Sequence, residues 1–313
     1  MRRRLALLLL AGLACTATAC LGDDNVDPAP TVTRVGVAFF PIADIVSRLH
    51  LNVEPVVLVP PGQEAHEYDP TPKDLTRLED TKVFFYLGQG FQPNVESAIA
   101  SLPPGVRKVD LLDGLTLLPV TDPLAGTEGT TSGETLDGNK DPHVWLDPQN
   151  MVRMAGTIVD HLVATGLTTA AAGRAALSDA TAAYGRLDQD FHDGLATCAR
   201  HELVTTHRAF GYLAHAYGLT QVSIAGVSPS EEPSAKTLEA VGAFVQQHGI
   251  TTVFSERNLP ADLAATVAQE TGVVTAPLDT VESPSHQQLA NRGDYLTLMD
   301  QNLHALRAAL GCP

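Results

Sequence analysis

Short apolar runs alternate with helical patterns along this chain, and that alternation restricts its fold more than any other feature. The run Val83–Leu87, VFFYL, is apolar throughout, as expected for a strand buried at the centre of a parallel sheet. The helical patterns between such runs place apolar residues three or four positions apart, which gives each helix one apolar face. We therefore predict an α/β fold in which parallel sheets are flanked by helices.

The alternation occurs twice, on either side of a long helical pattern at 169–197. That segment would form a helix roughly 40 Å long. We predict an N-terminal α/β lobe at 32–168 and a C-terminal α/β lobe at 198–313, joined by this long rigid helix. A chain of 313 residues is long enough to give both lobes sizeable cores.

The N-terminus has the pattern of an export signal. Arginines at positions 2–4 precede the apolar segment Leu5–Ala14, which is too short to span a bilayer. Small residues follow, as they do before a signal-peptidase site. We expect a signal peptide at 1–19, which is left out of the fold.

A lipid anchor is expected directly after this signal. Ala17–Cys20, ATAC, resembles a bacterial lipobox, in which the cysteine is lipidated and becomes the mature N-terminus. Residues 20–31 are acidic and contain proline, as in a flexible tether. We therefore expect an extracytoplasmic protein held at the cell membrane through Cys20. Lipidation of Cys15 and a soluble secreted or periplasmic protein are the alternatives.

Two cysteines remain in the mature chain, Cys198 and Cys312. An exported protein is in an oxidising compartment, where such a pair commonly forms a disulfide. We predict that these two cysteines are bonded to each other, which would fix the C-terminal helix to the end of the linking helix.

The charge of the chain limits its partners. The formal net charge is −16 at pH 7 and the sequence pI is about 4.9. Nucleic-acid binding requires a basic surface to contact phosphates, so we expect no nucleic-acid partner. A cationic ligand is compatible with this charge.

Three of the eleven histidines lie in loops beside strand ends or helix starts. His66 follows a buried run within a proline-rich loop, His143 precedes a helix, and His207 directly ends a strand. Asp279 occupies a comparable position at the end of the last strand. Two of these residues come from each half, and three imidazoles with one carboxylate suit tetrahedral Zn²⁺. Their positions alone leave open whether the four side chains converge.

Several stretches of the chain are similar to the metal-binding lipoproteins of bacterial ABC importers for zinc and manganese, above all to the zinc-specific branch. In chain order between residues 34 and 280 they are PPGQEAHEYDPTPKDL, DPHVWLDPQN, THRAFGYLAHAYGL, SPSEEPSAKTL, VFSERNLP and APLD. The resemblance implies two α/β lobes joined by a rigid helix. It also implies that the metal ligands are His66, His143, His207 and Asp279, with Glu256 as the alternative fourth ligand.

The resemblance implies a solute-binding protein that captures Zn²⁺ in the inter-lobe cleft and delivers it to an ABC permease. Such a protein is not an enzyme, is a monomer and can receive metal from a metallochaperone. A Mn²⁺ or Fe²⁺ carrier is an alternative that His207 disfavours, because manganese-type members usually have a carboxylate there. A zinc hydrolase is a further alternative, but the chain has no HExxH motif. An adhesive surface role stays open as a second function.

The sequence departs from the family pattern in two places. Many zinc-type members have a histidine-rich loop before the second ligand, whereas loop 121–141 has acidic residues and no histidine. Arg208 places a cation beside His207, which disfavours Zn²⁺ unless the guanidinium points away or is paired. The roles of Glu64 and Glu67, beside the first histidine, stay open between supporting the site and facing solvent.

Overall fold

Two four-stranded parallel sheets organise the structure, one in each half of the chain. The computed structural model describes residues 32–121, 124, 138–227, 233–256 and 262–313. Its strands are β1 (Thr33–Val37), β2 (Val53–Val57), β3 (Val83–Tyr86), β4 (Arg107–Asp110), β5 (Glu202–Thr205), β6 (Thr220–Ser223), β7 (Thr252–Ser255) and β8 (Val274–Pro277). The predicted α/β class with parallel sheets is therefore confirmed.

The two sheets have the same topology. The strand order is β2-β1-β3-β4 in the first sheet and β6-β5-β7-β8 in the second, and neighbouring strands within each sheet are parallel. Because the carboxyl ends of parallel strands lie at one edge of a sheet, the loops after β2, β5, β7 and β8 can converge on a shared site.

Ten helices among the described residues flank the sheets. They are α1 (Phe40–Arg48), α2 (Pro72–Thr76), α3 (Pro93–Ile99), α4 (Pro148–Ala164), α5 (Ala170–Leu195), α6 (Gly211–Ala216), α7 (Ala235–Gln247), α8 (Asp262–Thr271), α9 (His286–Ala290) and α10 (Tyr295–Leu310). A short 3₁₀ helix, Val144–Leu146, precedes α4. This 3₁₀ helix and α9 were not predicted from the sequence.

The long predicted helix is α5, which begins where the Thr169 side chain accepts a hydrogen bond from the backbone N–H of Ala172. It packs along α4 and also contacts α10 and α1. A Cβ at Gly173 would lie 2.9 Å from the Val159 side chain, so the glycine allows α4 and α5 to approach closely. The helix therefore lies between the two sheets in sequence and is packed against elements of both halves.

Apolar side chains from both halves form one large core. Residues 32–313 constitute a single compact unit. A smaller core lies under the second sheet and includes Val204, Val222, Val241 and Val253. Removal of these aliphatic and aromatic side chains from water supplies the main driving force for folding.

The predicted disulfide is confirmed: Cys198, after α5, is bonded to Cys312, after α10. Hydrogen bonds reinforce this contact, since the backbone N–H of Arg200 donates to the Leu310 carbonyl at 3.1 Å and its guanidinium donates to the Ala309 carbonyl at 2.8 Å. The end of the chain is thus attached to the start of the second half.

Some sequence-based expectations concern residues outside the described ranges. The signal peptide at 1–19, the lipidation of Cys20 or Cys15 and most of loop 121–141 are among them. Within the described part of the chain, none of the helices has the length and apolar character needed to cross a bilayer.

Candidate metal centre

Three histidines and one glutamate bring their ligand atoms together between the two halves. His66 lies in the loop after β2, His143 directly precedes the 3₁₀ helix, and His207 lies in the loop after β5. Glu282 lies between β8 and α9. One potential ligand atom from each of the four residues lies within 4.8 Å of the others. All four residues are buried, with relative exposures of 2%, 0%, 1% and 7% in that order.

Three distances within the cluster approach the spacing of ligands around one tetrahedral metal ion. The Nε2 atoms of His143 and His207 lie 3.4 Å apart. Glu282 places Oε1 3.6 Å from His143 Nε2 and Oε2 3.7 Å from His66 Nε2. Two ligand atoms that are each about 2.0–2.1 Å from a tetrahedral Zn²⁺ lie about 3.4 Å apart. The four side chains would therefore need only small movements to form a coordination shell around one ion.

Carboxylates on the outer side of two imidazole rings fix their orientation. Asp141 Oδ1 lies 2.9 Å from His143 Nδ1 and accepts a hydrogen bond from the His143 backbone N–H. Glu256 is hydrogen-bonded to His207 Nδ1 and accepts a second bond from the Thr206 hydroxyl at 2.8 Å. A carboxylate at Nδ1 holds the proton on that nitrogen and directs the Nε2 lone pair to the metal.

The first histidine is positioned by its own loop. The Glu64 carboxylate accepts hydrogen bonds from the backbone N–H groups of His66 at 2.9 Å and Glu67 at 2.7 Å. The Gln92 side chain donates to the Ala65 carbonyl at 2.7 Å. Glu64 therefore supports the loop through its backbone, which the sequence left open, while the Glu67 side chain is exposed.

Aromatic rings surround the histidines on the side of the first half. The Phe91 ring contacts His66 with centroids 4.9 Å apart, and the Trp145 ring contacts His143 at 5.2 Å. Phe39 packs against Trp145 at 5.0 Å. An apolar shell of this kind excludes water and strengthens electrostatic interactions between the ligands and a bound cation.

Burial shifts the protonation equilibria of this site. It raises the pKa of Asp141 to about 7, although the His143 backbone N–H opposes this shift. Burial, together with repulsion from His66 and His207, holds the pKa of His143 well below its usual value. Burial also lowers the pKa of His207, but the charge and hydrogen bond of Glu256 outweigh it and raise the pKa overall. His143 is thus kept neutral, the form that binds metal.

A family model described as zinc-uptake complex component A, periplasmic (ZnuA) matches residues 35–309 of this sequence. The chain belongs to this family.

Curated proteins are similar to this one along most of the chain. The zinc-binding lipoprotein AdcA of Streptococcus pneumoniae serotype 4 is 30% identical over 314 residues, which cover 97% of this chain and 60% of AdcA. The high-affinity zinc uptake system protein ZnuA of Bacillus subtilis is 29% identical over 305 residues, covering 97% of this chain and 94% of that protein. The chain spans only 55–60% of the length of the AdcA relatives.

A solved structure extends the similarity to the fold. The Zn(II)-bound ZnuA-like domain of Streptococcus pneumoniae AdcA has a TM-score of 0.73 and 28% sequence identity, and the match covers 89% of this chain and 98% of that domain. The two-lobed arrangement predicted from the sequence is thus that of a ZnuA-like solute-binding protein.

The structure changes the expectation for the fourth position of the cluster. Asp279 is not among the described residues that converge there. Its carboxylate accepts hydrogen bonds from the Val281 N–H at 2.8 Å and from the Gln288 side chain at 2.6 Å. Glu256, the alternative, orients His207 from outside the cluster. Glu282 is the fourth residue of the cluster and supplies its carboxylate, and its only signal in the sequence is an acidic residue in the loop after the last strand.

Arg208 is directed to backbone and hydroxyl groups beside the site. Its guanidinium donates to the Thr121 carbonyl and, at 3.2 Å, to the Ser223 hydroxyl. Its positive charge favours the ionised form of Asp141. The cation therefore acts on a carboxylate that orients His143.

Proposed function

We propose that the protein is an extracytoplasmic solute-binding protein that captures Zn²⁺ and delivers it to an ABC permease. Its Zn²⁺ ligands in this proposal are His66, His143, His207 and Glu282. The observation that carries the proposal is the convergence of these four buried side chains, from both halves, at the spacing of a tetrahedral shell. The zinc-binding names of its relatives support the same cargo.

The donor set favours Zn²⁺ over Mn²⁺ and Fe²⁺. Three imidazoles and a single carboxylate form a nitrogen-rich site, whereas Mn²⁺ prefers oxygen ligands. The Irving–Williams order also ranks Zn²⁺ above both ions at a given site. The preference for Zn²⁺ then follows from the nitrogen-rich donor set and from the affinity order of the ions.

A carrier is favoured over a hydrolase by the fourth side chain. Catalytic zinc sites commonly have three protein ligands and leave one position for water. Here Glu282 lies beside His66 and His143, where it would fill that position. A closed shell of four protein ligands suits capture and release of an ion, and the proposal includes no reaction.

A competition titration tests the cargo and the ligands together. Wild-type protein should take Zn²⁺ from a chromophoric chelator, and His143→Ala should weaken binding by more than the ~10–100-fold typical of residues outside the coordination shell. His304→Ala is the matched control, because its side chain is 72% exposed on α10. Equal affinities for the wild type and His143→Ala would refute the assignment.

The same proposal includes anchoring and partners. Cys20 is the expected lipid attachment site and Cys15 the alternative, and a membrane-anchored monomer would present its metal to the permease. A metallochaperone is a further expected partner. Labelling with radioactive palmitate in a bacterial host should be lost in Cys20→Ala and kept in Cys15→Ala. The opposite pattern would move the anchor to Cys15, and no labelling of the wild type would favour a soluble protein.

A further inference from the structure

The loop that carries Glu282 is attached at its start to a buried residue of α10. Asn302 is 2% exposed. Its side-chain oxygen accepts a hydrogen bond from the Asp279 N–H at 2.8 Å, and its amide donates to the Asp279 carbonyl at 2.7 Å. The two bonds fix both backbone polar groups of Asp279, so this residue, two positions after β8, has one orientation relative to α10.

The Asp279 carboxylate then determines the path of the following residues. It accepts the Val281 N–H at 2.8 Å, and its other oxygen accepts the Gln288 side chain at 2.6 Å. Val281 is fully buried and has a φ of 57°. A β-branched residue strongly disfavours this left-handed conformation, so the surrounding contacts must hold it. The bond to Asp279 is made by the N–H of the strained residue itself.

Contacts on either side of Val281 complete the attachment. The Trp145 indole donates to the Thr280 carbonyl at 2.8 Å, and the Ser283 hydroxyl donates to the Pro60 carbonyl at 3.1 Å. Between them, the Glu282 side chain turns into the histidine cluster. Its Oε1 atom is buried and has no hydrogen-bond partner among the described residues, as expected for an atom directed at a cation.

We propose that Asp279 and Asn302 are positioning residues for Glu282, a role that rests on the proposed function. Asp279 holds Val281 in its left-handed conformation, and that conformation directs the next side chain to the metal. Without the carboxylate, Val281 relaxes to a negative φ and the Glu282 carboxylate moves away from the histidines. Asp279 thus contributes to Zn²⁺ affinity through Glu282 and without contacting the ion.

A double-mutant cycle separates this role from direct ligation. Chelator-competition affinities for Zn²⁺ are measured for the wild type, Asp279→Ala, Glu282→Ala and the double variant. Asp279→Ala should lose ~10–100-fold in affinity, the usual effect of removing a supporting residue. On the Glu282→Ala background it should cost no more than about twofold, because its effect passes through the missing carboxylate.

A conservative variant checks the mechanism within the same experiment. Asp279→Asn keeps an oxygen that can accept the Val281 N–H, so its Zn²⁺ affinity should stay within about threefold of the wild type. That loss is much smaller than the ~10–100-fold loss expected for the alanine variant. Asn302→Leu should resemble Asp279→Ala, again only when Glu282 is present. Thermal unfolding of each variant without metal establishes that it is folded before its affinity is compared.

Two results overturn the proposal while leaving zinc binding intact. Equal fold-losses from Asp279→Ala with and without Glu282 would make Asp279 an independent contributor, such as a ligand. Unchanged affinity in Asp279→Ala would remove its role. A wild-type protein that takes no Zn²⁺ from the chelator would instead refute the proposed function and the positioning role together.

Discussion

His143 and His207 face each other through their Nε2 atoms at 3.4 Å, although the two rings come from different halves of the chain. The opposite nitrogen of each ring is held by a carboxylate, Asp141 for the first and Glu256 for the second. When both rings are neutral and carry their protons on Nδ1, their Nε2 lone pairs point at each other, and a cation between them removes this repulsion. By holding the protons on the Nδ1 atoms, the outer carboxylates therefore leave the Nε2 lone pairs available to bind the ion.

Replacement of Asp141 by asparagine should weaken Zn²⁺ binding. Above about pH 7, where the wild-type carboxyl is mostly ionised, the variant keeps the size of the side chain but loses the charge that stabilises the Nδ1–H form of His143. We expect a loss of ~10–100-fold in affinity in the chelator-competition titration, less than for removal of the histidine.

An exposed aspartate provides the control for this charge change. Asp300 lies on α10 with its side chain 59% exposed, so Asp300→Asn removes one negative charge from the protein surface. Equal losses in the two variants would show that net charge, not the orientation of His143, determines the affinity.

Addition and removal of metal should change the stability of the protein. Because the unfolded chain does not preassemble the four ligands, bound Zn²⁺ stabilises the folded state by about 4 kcal/mol when free metal is 1,000 times the Kd. Differential scanning calorimetry should therefore show a higher Tm with Zn²⁺, and EDTA should reverse the increase. The increase should be lost in His207→Ala. Persistence of the full shift in that variant would place the stabilising metal elsewhere.

The sequence was sufficient for the fold and for three of the cluster residues. Strand–helix alternation is repeated over many residues, so local errors at element ends do not change the predicted class. His66, His143 and His207 were singled out because each lies beside a strand end or helix start. The edges of two parallel sheets then bring such loops together.

The fourth residue depended on a feature that sequence patterns do not show. Asp279 and Glu282 are both acidic residues after the last strand, and the position of Asp279 together with the family resemblance favoured Asp279. In the structure Val281 has a left-handed conformation, Glu282 lies in the cluster, and Asp279 binds the loop backbone. Helix α9 was missed for a different reason. It has only five residues after the Ser285 capping box, which is too short a pattern to detect in the sequence.

Loss of the disulfide should destabilise the protein without affecting the metal cluster. Cys198 and Cys312 are 114 positions apart, and the chain-entropy model assigns about 4–5 kcal/mol to a loop of that length as an upper figure. Cys198→Ser/Cys312→Ser should therefore have a lower midpoint of urea unfolding, while chelator competition gives wild-type Zn²⁺ affinity. Ser101→Ala, on the exposed surface after α3, is the control for the effect of a substitution away from the disulfide. An unchanged midpoint would show that the Arg200 contacts alone hold the C-terminus.

Asp294, the N-cap residue of α10, should make the free energy of unfolding of the protein depend on pH. Burial raises its pKa, but hydrogen bonds from Thr297 and the ion pair with Arg48, at 2.9 Å, outweigh this and lower the pKa overall. A lowered carboxyl pKa adds stability above the unfolded value of about 3.9 and loses it as pH falls through the folded value.

Asp294→Asn keeps the N-cap oxygen and removes the charge, so it should cost less than about 1 kcal/mol at pH 7, because the side chain is half-exposed. That difference in the free energy of unfolding, measured in urea, should shrink as pH falls below about 4 and close only below the lowered folded-state pKa of Asp294, where the aspartate of the wild type is also neutral. A difference that stays constant from pH 7 to pH 3 would assign the effect to the cap hydrogen bond instead of the charge.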